Sequence, residues 1–175
     1  MVTEANIERQ AHGLVPSGEG WYVLNAQDAT WYENDEFGRA CTFEGSTRFP
    51  SLGVNIQILN RGQPNCMYHG EDEQEDFLVL SGECLLLVEG QERRLRAWDF
   101  VHCPPWTEHV FVGVTEEPCT ILMLGTRTPQ AGVRYPVNEL ALRHGAGVEV
   151  ATTSAEGAYG RISQIREVRY RDGDL

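Results

Sequence analysis

The chain has little that would mark a common catalytic or binding machine. It contains no nucleotide-binding glycine loop, no nucleophile motif and no zinc-finger spacing. No apolar run approaches the length of a membrane span, so no membrane partner is expected. The first residues, Met1-Val2-Thr3-Glu4-Ala5-Asn6, lack the basic and apolar regions of a signal peptide, and a cytoplasmic location is expected. Basic charge is scarce: 14 Lys and Arg stand against 26 Asp and Glu, a formal net charge of -12. Such a balance argues against a nucleic-acid backbone as partner and favours cations. The five cysteines, at 41, 66, 84, 103 and 119, are odd in number and form no CxxC pair. A disulfide framework is therefore not expected, and Cys84, Cys103 and Cys119 read as buried thiols in apolar runs. There is no internal repeat, no low-complexity tract and no helix long enough to build βαβ units.

What is present is short and β-like. The 175 residues, 41% hydrophobic and 23% charged, suit one domain with a sizeable core. From Gly53 onward, short apolar runs alternate with turns. Runs at 54–59, 77–80, 84–88, 93–96, 100–103, 109–112 and 120–124 read as strands. Arg61-Gly62-Gln63-Pro64-Asn65, Ser81-Gly82-Glu83 and Glu89-Gly90-Gln91-Glu92 read as turns. Even spacing of this kind predicts an all-β sandwich or barrel. Before it, Thr3 to Gln10 reads as a short helix and Trp21 to Leu24 as a strand. After it, Asn138 to Gly145 reads as a short helix, with Asn138 as N-cap and Gly145 at its end. Ala151 to Gly160 is small and polar. The basic stretch holding Arg161, Arg166, Arg169 and Arg171 is expected to pack on the acidic body or on a partner subunit.

The most informative segment is Glu71-Asp72-Glu73-Gln74-Glu75-Asp76, between His69 and the run Phe77-Leu78-Val79-Leu80. Packed carboxylates repel, and burying one unpaired costs several kcal/mol. A bound cation would make such a cluster favourable. A solvated acidic loop would explain it equally well.

The order of these residues resembles the cupin superfamily. His69, Glu75 and Gly82 match the first histidine, the glutamate and the closing glycine of its first motif. Glu71 occupies the place of the second histidine, and Gly62 is one residue out of register with the opening glycine. In the second motif Asp99 is the turn acid, Pro104 the proline and His109 the histidine. Trp98 and Trp106 stand where glycines are usual, and Gly113 where asparagine is common. The resemblance, which is closest to single-domain bacterial cupins, implies a double-stranded β-helix, or jelly roll, usually dimeric. It divides the chain into an arm with first strands (1–50), a barrel core (51–127) and an extension with a short helix (128–175).

The resemblance also implies a metal site. His69, Glu75 and His109 match family ligand positions, and Glu71 would complete a set of two histidines and two carboxylates. Such a set suits iron, manganese, zinc or nickel. Asp72 and Glu73 are read as solvated acids, His102 as structural, and His12 and His144 as exposed. Asn55 and Gln57 would line the pocket if their face of the strand looks inward. Tyr68, Phe77, Trp106 and Phe111 would supply aromatic surface near its mouth. Cupins span isomerases, dioxygenases, decarboxylases, storage proteins and sugar-binding regulators, so the resemblance names no reaction. Two functions stay open: an enzyme acting on a small polar metabolite such as a sugar, hydroxy acid or keto acid, and a non-catalytic module that holds a small ligand.

Overall fold

A computed structural model describes residues 1–175. Fourteen strands and two helices follow one another along the chain. They are β1 (Asn6–Arg9), β2 (Leu14–Ser17), β3 (Trp31–Asn34), β4 (Gly38–Thr42), β5 (Leu52–Leu59), β6 (Gly70–Glu71), β7 (Glu75–Ser81), β8 (Glu83–Val88), β9 (Gln91–Arg96), β10 (Phe100–Cys103), β11 (His109–Gly113), β12 (Cys119–Thr126), β13 (Val133–Arg134), α1 (Glu139–Arg143), α2 (Ala155–Tyr159) and β14 (Arg166–Val168). A seven-stranded sheet in the order β10-β7-β12-β5-β4-β3-β14 faces a three-stranded sheet, β11-β8-β9. Every pairing between these strands is antiparallel. The arrangement is the all-β jelly roll that the motifs led one to expect, with a short C-terminal helix.

The core lies between the sheets. Phe77 and Val79 of β7 and Ile121 and Met123 of β12 meet Cys84 and Leu86 of β8 and Phe111 of β11 in one buried cluster. These positions alternate because successive side chains of a strand point to opposite faces. Cross-strand partners lie on one face, and two rows run across the inner side of the large sheet. One is Phe77, Met123, Asn55, Thr42; the other is Val79, Ile121, Gln57, Ala40, Tyr32. Both rows begin apolar, where the small sheet covers them, and become polar toward β4 and β3. Asn55 and Gln57 therefore face inward.

Two local expectations fail. Thr3 to Gln10 forms no helix; Asn6–Arg9 pairs with Leu14–Ser17 as a hairpin. A helix of eight residues has too few hydrogen bonds to repay its nucleation, and the hairpin satisfies the same backbone. Trp21 to Leu24 forms no strand. Trp21 makes one isolated bridge to Glu4, Val23 is exposed, and Leu24 packs beside the buried Trp31. By contrast, Asn138 caps α1 as expected, its Oδ1 accepting from the Ala141 amide at 3.0 Å, and Gly145 follows with φ of +69°. The small, polar stretch 151–160 contains the unexpected α2, capped by Ser154.

The chain holds no lysine, and its arginines tie down the C-terminal segment. Arg166 pairs with Asp35 at 2.8 Å and Arg171 with Glu33 at 2.7 Å. The buried Arg39 pairs with Asp174, donates to the Arg169 carbonyl at 2.9 Å and sits 5.5 Å from the Trp31 ring centroid. Basic residues of the tail thus neutralise acids on β3 and the turn after it.

Trp98 and Trp106 keep the backbone that glycine would adopt. Their φ values are +75° and +70°, in the left-handed region that costs a side-chain-bearing residue roughly 1–2 kcal/mol. Trp106 is held by the guanidinium of Arg134, 5.3 Å from its ring centroid, and packs on Gly132. Trp98 is 74% exposed and gains little burial in return. Trp98→Gly is therefore expected to stabilise the fold by about 1 kcal/mol. Urea unfolding checks this, and a fall in the midpoint would contradict it.

Candidate metal centre

His69 and His109 are brought together by backbone pairing. They form an isolated antiparallel bridge, with the His69 amide donating to the His109 carbonyl at 3.2 Å and the His109 amide donating back at 2.8 Å. Their rings lie 5.2 Å apart between centroids. Both are buried, at 7% and 1% relative exposure. Phe77 forms the floor, its ring 5.1 Å from that of His109.

Hydrogen bonds fix which ring nitrogen faces the site. His69 Nδ1 lies 2.8 Å from the Met67 carbonyl and His109 Nδ1 lies 3.0 Å from the Thr107 carbonyl. A carbonyl only accepts, so each Nδ1 carries a proton and each Nε2 is left for the site. Backbone carbonyls orient metal-ligating histidines in the same way. The Nε2 of His109 is buried and has no hydrogen-bond partner.

Glu71 and Glu75 reach the same point from two different strands. The chain is not one regular strand here: β6 ends at Glu71, a bend covers 72–74, and β7 starts at Glu75. Glu71 Oε1 lies 3.4 Å from His69 Nε2, and Glu75 Oε2 lies 3.5 Å from His109 Nε2. One ligand atom each from His69, Glu75 and His109 falls within 4.8 Å of the others. Glu71 stands outside this triad, beside His69 and half-buried.

The electrostatics call for a positive charge. Burial, and then repulsion from Glu71, push the Glu75 carboxyl up to about 7. Burial, and then His69, push His109 down to about 4. Burial also opposes charge on His69, but Cys66, Glu71 and Glu75 outweigh it and hold the imidazole well above its ordinary range. The hydrogen bond from His69 lowers Glu71. The empty site thus holds a proton on His69, and one on Glu75 up to about pH 7, where a bound cation would take their place. A divalent cation fits this donor set: two imidazole nitrogens, one of them the orphaned buried Nε2 of His109, and at least one carboxylate.

The acid run divides as follows. Asp72 is exposed. Asp76 lies at the surface end of β7 and accepts from His102 at 2.7 Å and from Gln74 at 2.6 Å, so His102 faces solvent as a structural partner. Glu73 departs from the solvated reading: its Oε1 is buried and unpaired. Tyr68 also departs from expectation. It is buried in a separate cluster with Leu87 and Val110, away from the mouth, while Phe77 and Phe111 lie in the core beneath the site.

A cleft of about 210 Å³ opens on the site, lined by Asn55, Asn65, Glu71, Glu73, Glu75 and Arg127 among others. Sequence reasoning missed Asn65 and Arg127. Asn65 sits in what reads only as a turn, yet its Oδ1 accepts from the Phe111 amide at 2.7 Å. Arg127 is clamped by Glu44 through contacts of 2.5 and 2.9 Å. No periodicity in the chain announces either position. Cys66 lies 3.5 Å from His69 Nδ1, on the side away from the cleft atoms.

Glu75 is protonated more readily in the folded chain than in the unfolded one. Its contribution to stability is thus present below its ordinary value near 4.5 and is lost as pH rises through about 7. The metal-free Glu75→Gln variant is expected to gain about 2 kcal/mol relative to the parent between pH 4.5 and pH 8. The difference reports Glu75 together with its pull on His69, while His109 contributes in the opposite sense in both proteins. Urea unfolding across that range measures it, and a pH-independent difference would rule the assignment out.

Residues 55–125 match the family model described as "Cupin domain". Among solved structures, a sugar phosphate isomerase from a cupin superfamily of Silicibacter pomeroyi is 22% identical, covers 86% of this chain and 82% of its own, and superposes with a TM-score of 0.52. The polyketide cyclase RemF of Streptomyces resistomycificus is 13% identical over 63% of this chain and 83% of its own, with a TM-score of 0.54. A protein of Acidithiobacillus ferrooxidans is 27% identical over 47% of this chain, with a TM-score of 0.46, and the match spans only 55% of that protein. The first two likenesses establish the fold. No curated protein matches the sequence.

Proposed function

We propose, for a chain whose residues 55–125 are a cupin domain, that the inner site binds a divalent metal and acts on a small oxygen-rich metabolite. His69, Glu75 and His109 are the ligands, and Glu71 either completes the set or holds His69 in place. The observation that carries this reading is the Nε2 of His109, buried and without a partner. An unpaired buried acceptor costs roughly 1–3 kcal/mol, and a metal bond is what makes that arrangement favourable.

A bound metal would polarise a carbonyl or lower the pKa of a coordinated water. The chain's own groups then set the chemistry. Glu71 is ionised, half-exposed and close to the ligands, placed to accept a proton from a bound substrate. Asn55 and Asn65 border the cleft and offer amide donors to a hydroxyl or carboxylate. The Silicibacter pomeroyi relative is described as a sugar phosphate isomerase. At 22% identity that likeness supports the fold alone, so a sugar, a hydroxy acid or a keto acid remain the substrate classes. A non-catalytic ligand-holding role uses the same cleft without turnover. No helix is long and apolar enough to cross a membrane. A two-fold dimer is the assembly the family resemblance implies, and sizing in solution tests it.

Elemental analysis of the purified protein, followed by dialysis against iron, manganese, zinc and nickel, tests the metal. One metal per chain is expected. His109→Ala should lower affinity at least 100-fold, and Glu71→Gln by much less. A protein that takes up none of these metals overturns the proposal.

Protons and metal compete for Glu75. His69 must release its proton as well, so affinity is expected to rise with pH through 7 and to fall by more than tenfold per unit below it. Metal titrations at pH 5.5, 6.5 and 7.5 check the slope.

A further inference from the structure

The cleft over the metal site does not end at Asn55 and Asn65. The same two residues line a second cavity of about 260 Å³, which continues along the inner face of the large sheet over β4 and β3. Its walls include Tyr32, Phe37, Ala40, Thr42 and Ile165. The strand registers make this continuity concrete. Asn55 is opposite Thr42, and Gln57 is opposite Ala40, which is opposite Tyr32. The row that begins at the metal floor with Phe77 and Met123 leads directly into the second cavity.

The two lobes differ in character. The first is bounded by the carboxylates of Glu71, Glu73 and Glu75 and by Arg127. The second sets two aromatic side chains and an isoleucine that is 69% exposed beside the polar Glu33, Asn34 and Gln57. Neither lobe reaches the roughly 300 Å³ of an ordinary small-molecule pocket, whereas the two together do. The junction is rigid. Gln57 Nε2 donates to the Phe37 carbonyl at 2.9 Å and to the Asn65 carbonyl at 3.0 Å, tying a wall of the second lobe to a wall of the first. Asn65 Oδ1 is used by the Phe111 amide, which leaves its Nδ2 as the donor at the boundary. An exposed isoleucine beside aromatic walls is a surface that an apolar group would cover favourably.

We propose that the site takes a two-part ligand: a metal-chelating hydroxy- or keto-carboxylate head in the first lobe, and an apolar or aromatic arm in the second. The inference rests on the metal reading above and narrows its substrate class from polar metabolites in general to those carrying such an arm. Asn55 and Asn65 mark the division between head and arm. Phe37, Tyr32 and Ile165 select the arm.

The test uses cobalt-loaded protein with lactate and 3-phenyllactate as probes. Cobalt uptake is measured first, by its visible absorption. Both acids are expected to perturb that absorption, and 3-phenyllactate should bind about tenfold more tightly. Ile165→Ser, at a position exposed enough to leave folding intact, should shrink the ratio severalfold and leave lactate unchanged. Ala40→Leu, which fills the second lobe, should abolish it. Cobalt uptake with equal affinities for the two acids, or a ratio that both variants leave untouched, overturns the second lobe alone. Failure to take up cobalt overturns the metal reading itself, and the proposed head with it.

Discussion

The antiparallel bridge between His69 and His109 is the constraint on which the site depends. Two backbone hydrogen bonds, 3.2 and 2.8 Å long, place the imidazoles side by side, their planes tilted by 43°. Each imidazole then spends its Nδ1 proton on a carbonyl two residues earlier in the chain. Their remaining nitrogens converge with Glu75 at the bottom of the cleft, with Glu71 beside His69. Burial at that point raises one carboxyl, lowers one imidazole and leaves one nitrogen without a partner. Each effect disfavours the empty arrangement, and a cation relieves all of them.

The neighbouring structure serves that bridge. β11 is buried along its whole length, which fixes His109 to within the precision of a core strand. At Glu71 the chain breaks into β6 and β7 with a bend between them. Because β6 pairs with β13, Glu71 is held from a second direction. Trp106 stacks against Arg134 of that same β13 and donates its amide to the Glu71 carbonyl at 2.5 Å. The left-handed backbone of Trp106 is thus retained where its ring secures the strand that carries Glu71.

Much of this was legible in the chain. Alternation and turn residues located β5 and β7 through β12, because strands half-buried on one face must repeat every two residues. Motif spacing singled out His69, Glu75 and His109. Other features were not legible, for physical reasons. Thr3 to Gln10 reads as a helix yet supplies the first strand of a hairpin, because eight residues of mixed character have no decisive period. Glu73 was read as solvated because nothing local says which oxygen a fold will bury. Asn65 and Arg127 enter the cleft from turns and strand ends, where side-chain direction depends on tertiary path.

The sequence by itself determined the fold class and the position of the core strands, which follow from periodicity within short segments, and its resemblance to the cupin motifs pointed to His69, Glu75 and His109 as candidate ligands. Tertiary structure alone decided that His69 and His109 are opposite each other across forty residues of chain, that Glu71 stands beside the triad, and that a second cavity walled by Tyr32 and Phe37 shares Asn55 and Asn65 with the cleft. Those facts depend on which strands become neighbours. Register between distant strands is set by the packing of both sheets at once, and no local run of residues encodes it.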